Sequence, residues 1–181
     1  MKIIVASDIH GSNYYTKKFV KIIEKEKPDQ IILLGDVYYH GPRNKLPKDY
    51  NPMEVSKNLN RFADILKCTK GNCDAEVDQM ISDFKFKDQI EMGIKKKKFL
   101  FVHGHNLDLE NLPAGFNFIF GGHTHVSTIK KYRKTIYVNP GSLSIPKENT
   151  QNGYAIFENG KFTLKSFDGE IIDEYFLDKT V

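Results

Sequence analysis

The pattern of apolar and polar positions predicts alternating strands and helices over the first third of the chain. Residues 2–6 and 30–34 are short, nearly continuous apolar runs, typical of strands buried on both faces of a sheet. Between them, Phe19, Val20 and Ile23 recur at helical spacing opposite lysines. This spacing predicts a helix that begins near Ser12 or Asn13 and ends before Pro28. A strand, a helix and a strand in this order predict a βαβ unit and a parallel sheet.

The next segment combines a long loop with shorter elements. Residues 35–51 contain two glycines and two prolines and no periodicity, which predicts an ordered loop of the kind that often carries function. Asn51 and Pro52 are typical of a helix start. The buried stripe of this helix would be Val55, Leu59, Phe62 and Leu66. We also expect a short strand over residues 65–69 and a helix over residues 76–84.

After residue 86 the pattern predicts mainly strands. We expect them over residues 89–94, 97–102, 116–120, 126–132, 135–138, 154–157 and 161–166. Asn159-Gly160 between the last two is a strong hairpin signal. The chain is therefore predicted to form one domain over residues 1–181, of α/β class, with sheets packed face to face and helices outside.

Composition excludes several classes of protein. The chain has 181 residues, 40% hydrophobic and 28% charged, which is ordinary for a globular domain. Its apolar runs are far shorter than the roughly 20 residues of a membrane helix, so we expect no membrane partner. The net charge is +4, and the lysine run at residues 95–98 fits a hairpin turn better than a nucleic-acid patch. With two cysteines, no disulfide-stapled fold is expected, and we predict a cytoplasmic protein.

Residues suited to chemistry follow the predicted strands. They are Asp8, His10, Asp36, Asn72, His103, His105, His123 and His125. Because ligands bind beyond the carboxyl ends of strands in α/β sheets, we expect these loops to share one rim. If each segment is extended, residues i and i+2 point to the same side. Asp8 with His10, and each of the two paired histidine motifs, would then form local pairs.

Imidazole and carboxylate groups without a thiolate cage indicate a site for manganese, iron, zinc or magnesium. The candidate ligands number seven, more than the three that a catalytic zinc uses: Asp8, His10, Asp36, Asn72, His103, His123 and His125. They suit two ions roughly 3.5 to 4 Å apart, an arrangement used for displacement at phosphorus. Asp36 stands alone after a strand, and we predict that it bridges the ions. Any one of these motifs could be an ordinary turn or a core histidine, and only the set argues for a site.

The ordered set of motifs resembles a known family. DIH at 8–10, GDVYYHG at 35–41, GNCD at 71–74, HGH at 103–105 and GHTH at 122–125 resemble the five blocks of the calcineurin-like metallophosphoesterases. HGPRN at 40–44, GNCDAEVDQM at 71–80 and NPGSLSIPK at 139–147 resemble a branch of small bacterial phosphodiesterases. The resemblance implies a four-layer α/β/β/α sandwich. It also implies hydrolysis by a water or hydroxide that bridges two divalent ions, Mn²⁺ foremost, with Zn²⁺, Fe²⁺, Ni²⁺ or Mg²⁺ as alternatives.

The resemblance also assigns the residues. One ion would bind Asp8, His10 and His125, the other Asn72, His103 and His123, with Asp36 between them. Asp36, Asn72 and Cys73 are the predicted catalytic residues. Many family members carry histidine at the position of Cys73, and this branch carries cysteine. A neutral thiol gives less help to a monoester dianion than imidazolium does, so a phosphodiester substrate is expected.

Three further residues are predicted to bind substrate. His40 and Arg43 lie on the long loop after Asp36, and His105 follows a ligand histidine. Arginine suits bidentate phosphate contacts, although Arg43 could instead pair with a surface carboxylate. His105 could instead support a ligand. The loop that begins at Asn139 is expected to support the site structurally.

Two other functions are weighed against a phosphodiesterase. A phosphomonoesterase of the same fold would turn over monoesters at least as well as diesters. A scaffold like the retromer subunit of this family would bind proteins without catalysis, but none of the seven ligand positions is degraded here. A small phosphodiester is the expected partner, and a homodimer or homotetramer is predicted from exposed strands and from relatives that assemble.

Overall fold

The computed structural model describes residues 1–177 and contains two β-sheets. The strands are β1 (Ile3–Ala6), β2 (Gln30–Leu33), β3 (Leu66–Thr69), β4 (Phe86–Lys87), β5 (Ile90–Ile94), β6 (Lys97–Phe101), β7 (Phe118–Phe120), β8 (Thr128–Tyr132), β9 (Thr135–Asn139), β10 (Gly153–Glu158), β11 (Lys161–Ser166) and β12 (Ile171–Phe176). The helices are α1 (Asn13–Glu26), α2 (Pro52–Asn60) and a 3₁₀ helix, Glu76–Ile81.

Both sheets combine parallel and antiparallel strands. The first has the order β12-β11-β10-β1-β2-β3-β4, and the second β5-β6-β7-β9-β8. Strands β1 to β4 are parallel, as are β6, β7 and β9. The C-terminal hairpin returns to the first sheet, where β10 pairs antiparallel with β1. The carboxyl ends of β1, β2 and β3 in one sheet, and of β6 and β7 in the other, are therefore available to carry a site.

The core lies between the sheets and is rich in phenylalanine. Phe99 and Phe118 stack with ring centroids 4.8 Å apart, and Phe162 from the first sheet lies 5.3 Å from Phe118. Each of these side chains is almost fully buried. Helices α1 and α2 cover the outer face of the first sheet, where Phe19 and Leu59 pack against strand residues. The α/β class and the face-to-face sheets are confirmed.

The outer face of the second sheet is covered by a loop instead of a helix. Residues 105–117 contain no helix. Their side chains Leu107, Leu109 and Leu112 pack on Leu100 and Tyr137 of that sheet. The fourth layer of the predicted sandwich is present as apolar cover, but its backbone is irregular. A leucine every two to three residues covers a sheet without helical periodicity.

Local signals account for the element ends that agree with prediction. The Ser12 hydroxyl accepts a hydrogen bond from the Tyr15 N–H and caps α1. The Asn51 side chain caps α2, as expected of these residue types. Lys95, Lys96 and Asn159 have φ of 48°, 64° and 53°, so tight hairpin turns form at the lysine run and at Asn159-Gly160.

Two helix predictions are wrong in extent or type. Helix α2 ends at Asn60, because the Asn60 amide donates to the Ile81 carbonyl and tight turns follow. Phe62 is therefore only partly buried, and Leu66 begins β3. Residues 76–84 contain a 3₁₀ helix, Glu76–Ile81, since the Gln79 side chain bonds the backbone of the following segment and ends the turn early.

The pattern also missed two edge strands. β4 has two residues, too few for a periodic signal. β12 carries Asp173 and Glu174 in its middle and leaves Ile171 59% exposed, so its sequence lacks the apolar content of a core strand. Residues 178–181 of the predicted domain lie outside the described part. Among residues 1–177, no helix combines the length and apolarity needed to cross a membrane.

Candidate metal centre

The polar residues predicted from strand ends converge where the two sheets meet. Asp8 and His10 follow β1, Asp36 follows β2 and Asn72 follows β3, while His103 follows β6 and the last two histidines follow β7. His10 and His125, 115 residues apart in sequence, have their Nε2 atoms 3.2 Å apart. The shared rim predicted from sequence is therefore present.

Most of the candidate ligands do not lie in extended segments, so the predicted extended geometry is wrong for them. Five of them have left-handed backbone, namely Asp8, His10, Asp36, His123 and His125, with φ between 50° and 63°. Such conformations cost free energy in residues other than glycine and persist where the surroundings enforce them. The left-handed turns send His123 and His125 to different parts of the site, while Asp8 and His10 stay together, 3.6 Å apart.

The loop that begins at Asn139 holds the Asp8 backbone. The hydroxyls of Ser142 and Ser144 donate to the Asp8 carbonyl at 2.7 and 3.2 Å. The Asn139 amide donates to the Gly122 carbonyl at 2.8 Å, which ties the same loop to the segment that carries the last two histidines. Its predicted role as structural support agrees with these contacts.

Gly122 is required by close approach to Asp8. A Cβ at this position would lie 1.9 Å from the Ser7 hydroxyl and 2.8 Å from Asp8 Oδ2. We expect Gly122→Ala to lower the free energy of unfolding by about 1–3 kcal/mol, as overpacking does. Because Asp8 must move, metal affinity should fall at least about tenfold. Thermal denaturation and metal titration measure the two effects.

Gly93→Ala is the matched control, because a Cβ there meets nothing within 4 Å. This variant should change stability by less than about 0.5 kcal/mol and leave metal affinity unchanged. If Gly122→Ala behaved like Gly93→Ala, the tight packing around Asp8 would have no bearing on the site.

Asp74 organises the other half of the site. Its carboxylate accepts hydrogen bonds from the backbone N–H groups of Asp36, Val37 and Gly71, at 2.7 to 2.8 Å. It thereby joins the turns after β2 and β3. The Asp36 carboxylate in turn accepts from the Cys73 N–H at 2.8 Å. Asp74 was not predicted to have a role, although its place directly after Gly71-Asn72-Cys73 at a strand end favours hydrogen bonding within a turn.

Three buried histidines direct one ring nitrogen inwards. The Nδ1 atoms of His10, His103 and His125 lie 2.6 to 2.8 Å from backbone carbonyl oxygens, to which they donate. This leaves each Nε2 facing the centre of the site. Hydrogen bonding of one ring nitrogen to a carbonyl is the usual way in which a protein orients a metal-binding imidazole. In the neutral tautomer, the Nε2 lone pairs of His10 and His125 face each other and need a cation between them.

The residues around Asp8 fit a divalent cation. Asp8 Oδ1 is fully buried and has no hydrogen-bond partner among the described residues. It lies 3.3 Å from His125 Nε2 and 3.6 Å from His10 Nε2. With metal–ligand distances of about 2.1 Å, neighbouring ligand atoms stand about 3.0 to 3.4 Å apart. The spacing of these atoms is close to that of a coordination sphere.

A second group of ligand atoms surrounds Asp36 and His103. His103 Nε2 lies 3.0 Å from Asn72 Oδ1 and 3.4 Å from Asp36 Oδ2. The ring of His123 lies 5.2 Å from that of His103. Asp36 Oδ2 is also 3.7 Å from His10 Nε2, which places Asp36 between the two groups.

Buried carboxylates and histidines shift one another's pKa. Burial raises the pKa of Asp8, but the nearby imidazole rings of His10 and His125 outweigh burial and hold that pKa well below its usual range. Burial lowers the pKa of His103, but the hydrogen bond to Asp36 outweighs it and raises the pKa to about 9. Protons therefore occupy this histidine at neutral pH unless a cation displaces them.

Metal binding should consequently depend on pH. Because a metal must displace the proton that His103 holds below about pH 9, we expect apparent Mn²⁺ affinity to fall about tenfold per unit as pH decreases from 9 to 7. Binding at pH 7 should release at least one proton in weakly buffered solution. Competition with a chelator, itself titrated without protein, measures the affinity. Affinity independent of pH over this range would contradict the account.

A cavity of about 510 Å³ opens above the ligand atoms. Its lining includes Arg43, Asn44, Cys73 and Lys147 beside the candidate ligands. Burial and then the charge of Asp36 raise the pKa of the Cys73 thiol to about 12, so the thiol is neutral at pH 7. Asn44 and Lys147 were not predicted as site residues, although both lie within motifs that carry the family resemblance.

The three residues predicted to bind substrate lie in different places. Arg43 lines the cavity, and its contact with substrate stays a prediction. His40 does not, because its ring packs against Tyr39 and Tyr50, with centroids 4.8 and 5.4 Å away. His105 is exposed beside the site, 5.5 Å from the ring of His103, and lines a neighbouring cavity.

Comparison with known proteins gives consistent results. The family model that describes the calcineurin-like phosphoesterase superfamily domain matches residues 1–161 of this chain. The chain is 36% identical over 175 residues to phosphodiesterase YfcE of Escherichia coli strain K12, covering 95% of each chain. The solved structure of E. coli YfcE, described as a phosphoesterase, superposes with a TM-score of 0.94 at 35% identity, over 98% of this chain and 100% of that one. Vps29 of Entamoeba histolytica complexed with zinc has a TM-score of 0.66 at 15% identity, over 98% of this chain and 99% of that one, which shows a shared fold alone.

Proposed function

Since the chain belongs to the calcineurin-like phosphoesterase superfamily and is a phosphoric diester hydrolase, we propose that it works with two divalent metal ions. The supporting observation is the set of inward-facing Nε2 atoms around two buried carboxylates, one of which, Asp8, has an unpartnered oxygen. Buried carboxylates of this kind need compensating positive charge. Two divalent ions supply that charge.

We assign the ligands in two groups. Asp8, His10 and His125 hold one ion, and Asn72, His103 and His123 hold the other. Asp36 bridges them, which agrees with its 3.7 and 3.4 Å distances from His10 and His103. Mn²⁺ is the first choice, with Zn²⁺, Fe²⁺, Ni²⁺ and Mg²⁺ as alternatives, because nitrogen and oxygen ligands suit all of them. When bound, the two ions activate water at neutral pH and stabilise charge on the phosphoryl oxygens.

The other residues of the cavity favour a diester over a monoester. Arg43 and Lys147 are the basic side chains of its lining outside the ligand histidines, and we propose that they bind the phosphoryl group. Cys73 is neutral at pH 7 because of its raised pKa. It therefore adds no positive charge next to the leaving group. The lack of this positive charge destabilises a bound monoester dianion more than a singly charged diester.

Relative rates on aryl esters test the proposal. With Mn²⁺, we expect kcat/KM for bis(para-nitrophenyl) phosphate to exceed that for para-nitrophenyl phosphate at least about tenfold. Comparable rates would favour the phosphomonoesterase alternative. Folded protein that hydrolyses neither ester with any divalent ion would favour the scaffold alternative.

Nothing in the site favours a scaffold. A protein that only binds partners has no need of left-handed backbone at five ligand positions or of buried, facing carboxylates and imidazoles. Such features cost stability and are kept where they serve a site.

We further propose a cytoplasmic location, which the free thiols of Cys68 and Cys73 support. Assembly as a homodimer or homotetramer stays a prediction.

A further inference from the structure

A second cavity, here called the side pocket, lies beside the candidate metal centre. Its volume is about 440 Å³, enough for a group of aromatic-ring size. Leu100, Val102 and Leu107 supply its apolar side. The loop that covers the second sheet forms one wall, so the irregular fourth layer of the fold creates the pocket.

The side pocket adjoins the phosphate site. His103, a candidate metal ligand, lines it, as does Gly71, the neighbour of Asn72. His103 Nε2 and Asn72 Oδ1, 3.0 Å apart, stand between the two cavities. An ester arm that leaves the phosphorus on this side and extends past these two ligands would therefore reach the side pocket.

The polar residues that line the side pocket favour an ester arm that carries no charge. Lys70 and Asp88 both line the pocket, so their charges offset each other and neither a second phosphate nor a cation is favoured. Gln89 and Asn106 place side-chain amides at the same lining, and amides can pair with the edge of a flat heterocycle. His105 adds an imidazole ring, held 3.0 Å from the Asn106 amide nitrogen.

From these features we infer that the side pocket binds one ester arm of the substrate, and that this arm is a nucleoside. A nucleobase is flat, uncharged and hydrogen-bonding at its edge. It stacks on aromatic rings, histidine included, and its faces suit an apolar wall. The inference rests on the proposed function, because it names the substrate class of that same site.

Two esters with the same leaving group test the inference. They are thymidine para-nitrophenyl phosphate and methyl para-nitrophenyl phosphate, which differ only in the retained arm. We expect the wild type to prefer the thymidine ester by about tenfold or more in kcat/KM. His105→Ala should reduce this preference about tenfold, because it removes the stacking surface. His105 is exposed, so the variant should fold.

Glu110→Gln is the matched control, because this exposed residue lies on the same loop outside the lining of the side pocket. It should leave both rates unchanged. A binding measurement gives an independent readout. Thymidine monophosphate added to zinc-loaded protein should shift the amide resonances of Gly104 and Asn106, and methyl phosphate should not.

Equal rates on the two esters, together with no difference between the two ligands in amide shifts, would overturn the inference while leaving the proposed function intact. If the wild type hydrolysed neither ester, the proposed function would fail. The amide shifts alone would then decide the side pocket, since nucleoside-specific shifts support it and their absence overturns it.

Discussion

Asp36→Asn should lower the metal-dependent diesterase rate at least about a thousandfold. Asp36 is almost fully buried between His10 and His103, and we propose that its carboxylate bridges the two ions. Asparagine has the same shape but lacks the charge and one of the two anionic oxygens. A thousandfold loss corresponds to about 4 kcal/mol of transition-state stabilisation, which is reasonable for loss of a bridging ligand. Steady-state kinetics with added Mn²⁺ measure it.

The fold should survive this change. Asparagine Oδ1 can still accept the hydrogen bond that the Cys73 N–H donates to Asp36 Oδ1. Asp64→Asn, which changes an exposed carboxylate outside the site, should leave activity unchanged. If Asp36→Asn stayed within tenfold of the wild type at saturating metal, Asp36 would not be the bridge.

Asp74→Ala should produce the largest loss of stability. Removing its carboxylate leaves three N–H groups without acceptors, those of Asp36, Val37 and Gly71. Each buried, unsatisfied donor costs about 1–3 kcal/mol. We therefore expect the free energy of unfolding to fall by about 3 kcal/mol or more. Chemical denaturation followed by circular dichroism measures this change.

The same substitution should also weaken metal binding, because the turns that carry Asp36 and Asn72 lose their common anchor. Asp78→Ala is the matched control, since the Asp78 carboxylate accepts one N–H, that of Ala75, in an exposed turn. Its cost should be about 1 kcal/mol, with metal affinity unchanged. Equal effects of the two substitutions would show that Asp74 has no special place in the site.

The sheets and the shared rim could be predicted because their signals are local. Buried strands such as β1 and β2 are short apolar runs, and each candidate ligand directly follows one. The rule that ligands bind at strand carboxyl ends then places Asp8, Asp36 and His103 together without any knowledge of contacts. The spacing of residues i and i+2 predicted extended segments, but the backbone at five of the ligands is left-handed.

The residues that sequence analysis missed act through tertiary contacts. The Asp74 carboxylate accepts hydrogen bonds from three backbone N–H groups in two turns. Lys147 reaches the cavity because its N–H donates to the carbonyl of His125. His40, by contrast, lies on the expected loop but packs between two tyrosines. The spacing of apolar and polar residues carries no information on such contacts. It could therefore predict the metal centre but not every residue that lines the cavity above it.

Activity as a function of bound metal tests the central claim most directly. Protein stripped of metal and titrated with Mn²⁺ should gain diesterase activity until about two ions are bound per chain, by elemental analysis of the same samples. Asp36→Asn should not reach the wild-type rate at any metal content. Full activity with one ion per chain, or full activity in the stripped protein, would contradict a centre in which Asp8, His10, Asp36, Asn72, His103, His123 and His125 hold two ions.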